Sequence, residues 1–363
     1  MQGWRLGVFL TTVLSIWAVM HAYVFWRVAS VSWVTAQVSR SVLAGLGLAL
    51  WLSYPLARWQ ALPKVEWVAA NWIGVLFLLF VALLAADVAT LGGRFWPGLR
   101  GGAIVAAAVL SVIALVQGLR PPVVSEYEVK LRGLPRDRDG TRVVMISDVH
   151  LGGMIGAPWL ARVVEQINAL RPDLIAVVGD VVEGDVDRAG EVVPVLRQLR
   201  APLGVWVVTG NHEYYAGLDR SLRLFEEAGF FVLRDRWREA APGIVVAGVD
   251  DLTARRQFAI RDDPVGHALA NRPPGATIFL SHSPWQADRA AALGAGLMLS
   301  GHTHNGQIWP FNYFVGLSYR LLAGRYDVQG MPVIVGRGTG TWGPRMRLWQ
   351  PGEIVRVTLR FSD

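Results

Sequence analysis

Two hydrophobic patterns divide this chain. Up to about residue 120 the apolar positions form long unbroken runs. Leu6–Trp26 holds 21 residues without a charge, Ser41–Ala57 is shorter, and Trp67–Ala86 and Gly101–Leu119 follow, the last flanked by Arg100 and Arg120. About 20 apolar residues span a bilayer and about 17 suffice, so the pattern predicts four transmembrane helices. A cleaved export signal is the competing reading of Leu6–Trp26. That run is longer than a signal core, and no Ala-x-Ala site follows it.

Beyond residue 120 the runs shrink to strand length and alternate with helical spacing. Glu126–Arg132 and Thr141–Ile146 read as strands joined by the polar turn Gly133–Gly140. Leu160, Val163, Val164, Ile167 and Leu170 lie at helical spacing after Pro158, which suits a first helical turn. Leu174–Val178, Val205–Val208 and Ile244–Val249 read as strands, with helices near Ala189–Leu199 and over Leu218–Ala228 between them. Strand and helix in alternation predict an α/β domain. The expected division is a membrane domain, 1–120, and an α/β domain, 121–363.

Composition sharpens this division. Hydrophobic residues make up 53% of the 363, too many for an ordinary soluble enzyme. Residues 1–120 carry eight Lys and Arg against two acids, a net +6, which leaves 27 against 26, a net +1, for the rest. The α/β half is nearly neutral, so no nucleic-acid partner is expected. Cysteine is absent, which excludes disulfides and thiolate chemistry. With four spans, six basic side chains (Arg5, Arg58, Lys64, Arg120, Lys130, Arg132) lie on the side of the α/β domain and four (Arg27, Arg40, Arg94, Arg100) on the other. The positive-inside rule favours a multi-pass protein of the cell (inner) membrane with a cytoplasmic α/β domain, an α/β domain on the outer face being the alternative. Asp87, near the end of the third run, is expected at the interface.

Chemistry-bearing residues stand where the short runs end. Asp148-Val149-His150 follows Val143–Ile146, Gly179-Asp180 follows Leu174–Val178, and Gly210-Asn211-His212-Glu213 follows Val205–Val208. His282 follows Thr277–Leu280, and Gly301-His302-Thr303-His304 follows Leu297–Leu299. Five of the seven histidines lie in these blocks. Strand C-termini of open α/β sheets are where ligand sites form. Oxygen and imidazole donors without sulfur suit Mn, Fe, Zn or Mg.

These five blocks, in this order, resemble the calcineurin-like metallophosphoesterase superfamily over roughly Glu126 to Leu359. The resemblance implies two packed mixed sheets flanked by helices, with Pro332–Val335 and Ile354–Leu359 as closing strands of the second sheet. It implies two divalent metal ions that polarise a phosphate ester and supply a bridging hydroxide. Asp180 would bridge them, with Asp148, His150 and His304 on one ion and Asn211, His282 and His302 on the other. His212 would act at the transition state or protonate the leaving oxygen. Glu183 and Glu213 would orient ligands rather than bind metal. The family's usual Gly-His-Thr-His-Gly-Gly-Gln reads Gly301-His302-Thr303-His304-Asn305-Gly306-Gln307 here, which Asn305 can accommodate by adopting positive φ. Gly336, Gly338, Gly340 and Gly343 match no phosphate-loop fingerprint and read as tight turns.

Within that superfamily the chain looks most like membrane-linked members, near UDP-2,3-diacylglucosamine hydrolases and transmembrane proteins with a metallophosphoesterase domain. Ile308-Trp309-Pro310-Phe311-Asn312-Tyr313-Phe314-Val315 follows the last ligand block, and Trp and Tyr favour bilayer interfaces. The expected function is a membrane-anchored phosphodiesterase or pyrophosphohydrolase with a lipid or lipid-linked substrate. The alternatives are the same hydrolase acting on soluble phosphodiesters, and a non-catalytic receptor or scaffold. A transporter is disfavoured because no run has the polar positions that would line a path.

Overall fold

The computed structural model describes residues 2–60, 62–184, 190–260 and 262–362. The chain divides into two compact units, 1–119 with 343–348 and 120–342 with 349–363.

The first unit contains helices α1 (Gln2–Val28), α2 (Ser32–Thr35), α3 (Arg40–Trp59), α4 (Pro63–Ala89) and α5 (Leu99–Leu119). Among the described residues three stretches, Arg40–Trp59, Lys64–Ala89 and Leu99–Leu119, are long and apolar enough to cross a membrane. The run Leu6–Trp26 lies within α1, where the side chains of residues 2–6 and 8–10 lie outside the described residues. The shortest expected run lies in a 20-residue helix whose start is capped by Ser39, which accepts from the Val42 N–H at 3.3 Å. Val24, Leu76 and Leu83 form the buried core, with Trp72, Phe80 and Ile104 against it. Asp87 is buried near the end of α4. Its carboxylate accepts from Tyr23 at 2.7 Å and Arg100 at 2.8 Å, and it pairs with Arg27 at 2.6 Å. Residues 343–348 join this unit through their backbone N–H groups, Arg345 donating to the Asn71 side-chain Oδ1 at 3.0 Å and Arg347 to the Ala114 carbonyl at 2.8 Å.

The second unit holds two six-stranded sheets. The first runs in the order β1 (Val123–Arg132), β12 (Glu353–Ser362), β2 (Arg142–Ile146), β3 (Leu174–Val178), β4 (Val205–Val208), β5 (Phe231–Val232). The second runs β10 (Gly324–Val328), β11 (Met331–Val335), β9 (Leu297–Ser300), β8 (Ala276–Leu280), β7 (Ile244–Gly248), β6 (Arg236–Ala241). Both are mixed. In the first sheet β2 to β5 are parallel and β12 meets β2 antiparallel. In the second, β7, β8, β9 and β11 are parallel between two antiparallel edges.

The continuous apolar runs follow from burial on both faces. In β2, Val143 and Met145 enter a core shared with Val246, Ile278 and Leu299 of the second sheet, while Val144 and Ile146 face Leu160, Val163, Val164 and Ile167. Those four residues form the inner stripe of α6 (Ala157–Ala169). Each parallel strand ends in a loop at the same end of its sheet, and those loops carry the candidate site.

Two expectations need correction. Ile354–Leu359 does not close the second sheet. It lies in β12, which inserts into the first sheet between β1 and β2, pairing with β1 over ten residues. The turn Gly133–Gly140 therefore joins two strands that are not neighbours. The helix expected near Ala189–Leu199 is short, Val193–Leu196 after a 3₁₀ turn at Gly190–Val192, and Ala189 lies outside the described residues.

Candidate metal centre

Asp148 and His150 follow β2, Asp180 follows β3, and Asn211 and His212 open a helix (Asn211–Ala216) after β4. His282 follows β8, and His302 and His304 follow β9. The loops turn sharply. Asp148, His150, Asp180, His302 and His304 all have positive φ, between 49° and 72°. Left-handed backbone is uncommon outside Gly and is over-represented at functional sites.

Buried carboxylates hold these turns. Glu213 accepts four backbone N–H groups: Asp180 at 2.9 Å, Val181 at 2.8 Å, Val182 at 3.2 Å and Gly210 at 2.6 Å. Asp148 accepts the His302 N–H at 3.0 Å, and Asp180 accepts the His212 N–H at 2.8 Å. Gly210 must lack a side chain, since a Cβ there would strike Asp180 Oδ1. Gly340 is constrained likewise by the Val149 carbonyl. The glycine-rich segment is thus more than tight turns. Thr339 and Gly340 donate their N–H groups to the carbonyls of Ser147 at 2.8 Å and Asp148 at 2.9 Å, supporting the first ligand loop from below.

Three overlapping groups have ligand atoms close enough to share an ion: Asp148, His150 and His304; His150, Asp180 and His212; and Asp180, His282 and His302. His150 Nε2 lies 3.1 Å from His304 Nε2, and His304 Nε2 lies 3.4 Å from Asp148 Oδ1. On the other side His282 Nε2 lies 3.1 Å from Asp180 Oδ2 and 3.2 Å from His302 Nδ1. Donors bound at about 2.1 Å stand about 3.0 Å apart around an octahedral ion and about 3.4 Å around a tetrahedral one. The spacings within each set therefore fit a metal ion, and Asp180 Oδ2 lies between the sets, 3.1 Å from His282 Nε2 and 4.0 Å from His150 Nε2. Asn211 Oδ1 is buried without a hydrogen-bond partner among the described residues, as a neutral oxygen ligand would be.

Hydrogen bonds fix the tautomers. His150 Nδ1 donates to Glu183 at 2.8 Å and His282 Nδ1 donates to the Val178 carbonyl at 2.8 Å, so each turns Nε2 toward the site. His212 Nδ1 donates to the same Glu183 oxygen at 2.9 Å. Burial alone would lower the His212 pKa, but Asp180, Glu183 and Glu213 outweigh it and push it up to about 9. Burial, with His282 beside it, pushes His302 down to about 3. Burial raises the Asp148 pKa, whereas His282 and His212 overcome burial at Asp180 and hold it well below the usual range. Of these imidazoles His212 holds its proton and His302 is neutral with a lone pair to offer, while Asp180 and Asp148 outweigh burial at His282 and raise it well above the usual imidazole range.

A family model for calcineurin-like phosphoesterases matches residues 141–306, and every one of these side chains lies within that span. A metallophosphoesterase from Aquifex aeolicus is 33% identical over 244 residues, covering 65% of this chain and 91% of its own. The chain belongs to the calcineurin-like metallophosphoesterase family. It is also similar to the transmembrane protein with metallophosphoesterase domain of Danio rerio, 34% identical over 270 residues, and of Bos taurus, 36% over 273. Each of those alignments covers 71% of this chain and 62% of the relative.

The structure brings together the seven titratable residues expected at the site. It seats Asn211 between Gly210, which packs on Asp180, and His212. Asn305 adopts φ 49°, as the departure from the family's glycine requires. Some neighbours carried no local signal. Tyr215 and Trp342 present ring faces or edges to His212 at centroid distances of 5.3 and 6.3 Å, and Tyr319 meets His302. The segment after the ligands is anchored by Ile308, which is buried, and by Trp309, which packs on Trp349 at 5.0 Å. It continues as a helix (Phe311–Gly316) whose Phe311, Tyr313 and Phe314 are 41%, 66% and 58% exposed.

Proposed function

We propose that this chain is a membrane-anchored dimetal phosphoesterase that hydrolyses a phosphodiester or pyrophosphate bond in a lipid or lipid-linked substrate. The observation that carries the reading is the two ligand groups, Asp148 with His150 and His304 and Asp180 with His282 and His302, linked by the approach of His150 to Asp180, together with the orphaned Asn211 oxygen. Asp148, His150 and His304 would hold one ion, Asn211, His282 and His302 the other, and Asp180 both. Two divalent ions bound there would supply positive charge to the phosphoryl oxygens and lower the pKa of a water nucleophile.

The remaining chemistry belongs to the chain. His212 keeps its proton at neutral pH because Asp180, Glu183 and Glu213 favour the imidazolium. Glu183 occupies Nδ1, which leaves Nε2 to stabilise charge on the phosphoryl group or to protonate the leaving oxygen. Tyr215 and Trp342 flank that imidazole. Glu213 positions Asp180 through the backbone alone.

Support for a lipid-like substrate comes from the exposed aromatic helix that follows the ligand loop, together with the three apolar helices of the other unit. The reading is tested with the purified full chain in detergent. About two transition-metal ions per chain are expected, hydrolysis should stop on chelation, and Asp180→Asn should lose both ions. Full hydrolysis by metal-stripped protein would refute the mechanism. Equal turnover of a lipid diester and a small chromogenic diester would favour a soluble substrate, with the helices serving only as an anchor.

A further inference from the structure

Trp342 is a large apolar side chain left 53% exposed, yet its backbone is held on both sides. Its N–H donates to Gln307 Oε1 at 2.9 Å, and its carbonyl accepts from Gln307 Nε2 at 3.0 Å. One side-chain amide thus bonds both backbone groups of one residue. Gln307 is itself buried and stands three residues beyond His304, at φ 56°. The alternate residues on either side of it grip the same part of the chain. Asn305 Nδ2 donates to Gln350 Oε1, and Trp309 packs on Trp349 at 5.0 Å. The segment that ends the last ligand block therefore clasps residues 342, 349 and 350. The Asn305 that stands in place of the family's glycine is one of its grips.

The clasp presents an indole beside His212. The two ring centroids lie 6.3 Å apart with their planes at 73°. Tyr215, 51% exposed, meets the same imidazole at 5.3 Å and 67°. Glu183 occupies His212 Nδ1, which leaves Nε2 as the nitrogen that can reach a leaving oxygen. Whatever that oxygen carries must lie near these rings. A hydrocarbon chain adapts to any apolar wall and gains nothing from a fixed plane. A flat ring does gain, because stacking requires a defined offset and tilt. Trp suits this task, since only two side-chain torsions remain to be fixed once the backbone is held.

We infer that Trp342 is a specificity residue that stacks on a flat π ring carried by the leaving group, with Gln307 and Asn305 as positioning residues that hold it in place. The inference rests on the dimetal reading of the site and names the chemical class of what departs. Removing an aromatic side chain that stacks on a flat ring costs about 5–150-fold in binding.

The test compares two methyl phosphodiesters in the detergent-solubilised, metal-loaded full chain. One releases p-nitrophenol, read by absorbance, and the other trifluoroethanol, read by ¹⁹F NMR. Trp342→Ala should lower the ratio of the aryl to the fluoroalkyl kcat/KM about 5–150-fold, at unchanged metal content. Trp342→Phe keeps a ring and should recover most of that ratio. Gln307→Ala keeps the indole but frees its backbone, so it should move the ratio in the same direction as Trp342→Ala. An unchanged ratio in Trp342→Ala, whether both rates hold or both fall together, would overturn the inference and leave the phosphoesterase reading standing. A wild type that carries both ions and hydrolyses neither diester would overturn that reading, and this inference with it. Should Trp342→Ala or Gln307→Ala fail to fold, the stack can be read without turnover in wild type labelled with fluorotryptophan. The resonance that Trp342→Phe lacks should shift with phenylphosphonate and not with methylphosphonate, and the same response to both would refute the stack.

Discussion

Replacing Glu213 with Gln should loosen the Asp180 turn by an amount the structure allows one to work out. The carboxylate accepts Val181 and Val182 on Oε1, and Asp180 and Gly210 on Oε2. Burial and Asp180 raise its pKa, and the N–H groups of Gly210 and Val182 oppose them. Four N–H groups aimed at two oxygens leave no acceptor for a carboxyl proton, so the charged form fits the site. A glutamine can keep only one oxygen. Its amide must face two of the four N–H groups, and each orphaned buried donor costs about 1–3 kcal/mol. Local opening of residues 180–182 should therefore become easier by about 2–6 kcal/mol, which is roughly 30-fold or more in the opening equilibrium. Hydrogen exchange read by mass spectrometry on a peptide covering 178–184 measures this directly. It also avoids assuming that a chain of two units unfolds in one step. Glu183→Gln is the control, because Glu183 accepts from imidazoles and its loss should leave these amides protected. Unchanged exchange in Glu213→Gln would show that the carboxyl is protonated and does not hold the turn.

Three further outcomes are expected. His212→Ala should keep both metal ions but lose much of kcat, whereas His304→Ala should lose metal; an empty site in His212→Ala would reverse the assigned roles. In metal-stripped protein the His212–Glu183 pair should be pH-dependent. The His212 pKa is raised from 6.5 to about 9, so its contribution is complete below 6.5 and is lost as pH rises through about 9. The Glu183 pKa is lowered from 4.5 by His150 and His212 against burial, so its contribution is complete above 4.5 and is lost as pH falls through the lower folded value. The stability gap between wild type and His212→Ala should thus be widest between pH 4.5 and 6.5 and close above about 9, and a flat gap would contradict the pairing. Finally, Phe311, Tyr313 and Phe314 replaced together by Ser should cut lipid-diester turnover at least about tenfold, since each aromatic transferred from water is worth about 1.5–3 kcal/mol. A small soluble diester should be hardly affected, and equal losses on both would place the helix in the fold's support instead.

How much of this was legible in the sequence depended on whether a signal was local. The strands were legible because β2, β3, β4 and β8 are buried on both faces and so read as unbroken apolar runs. The residues at their ends were legible because a sheet gathers strand C-termini whatever the loops do. The place of β12 was not. Its alternation of Ile354 against Val355 and Val357 suits a strand in either sheet, and only pairing with β1 and β2, more than 200 residues away in sequence, decides between them. Gly340 looked like a turn residue because a glycine needed for close approach reads the same as one needed for positive φ, and Gly338, at φ 78° beside His304, is both. Tyr319 stands in an unpatterned stretch 15 residues beyond His304, and nothing near it marks it as a partner of His302.

The same carboxylates that would bind metal also hold the backbone, and this bears on how the site exists before metal arrives. Five candidate ligands sit at left-handed φ, and each such residue costs of order 1–3 kcal/mol when it is not glycine. That cost falls at the ends of strands whose own pairing is complete, so it must be met within the loops. Asp148 meets it by accepting the N–H of His302, and Asp180 by accepting the N–H of His212, in charge-assisted bonds that are stronger than neutral ones. Those bonds cross between blocks: Asp148 after β2 holds the turn after β9, and Asp180 after β3 holds the helix after β4. The loops after β9 and β4 are thus each held by a candidate ligand from another loop, which ties these parts of the constellation to the folded domain. Metal ions bound there would replace protons and relieve repulsion between groups already in place, which is the preorganisation an electrostatic catalyst needs.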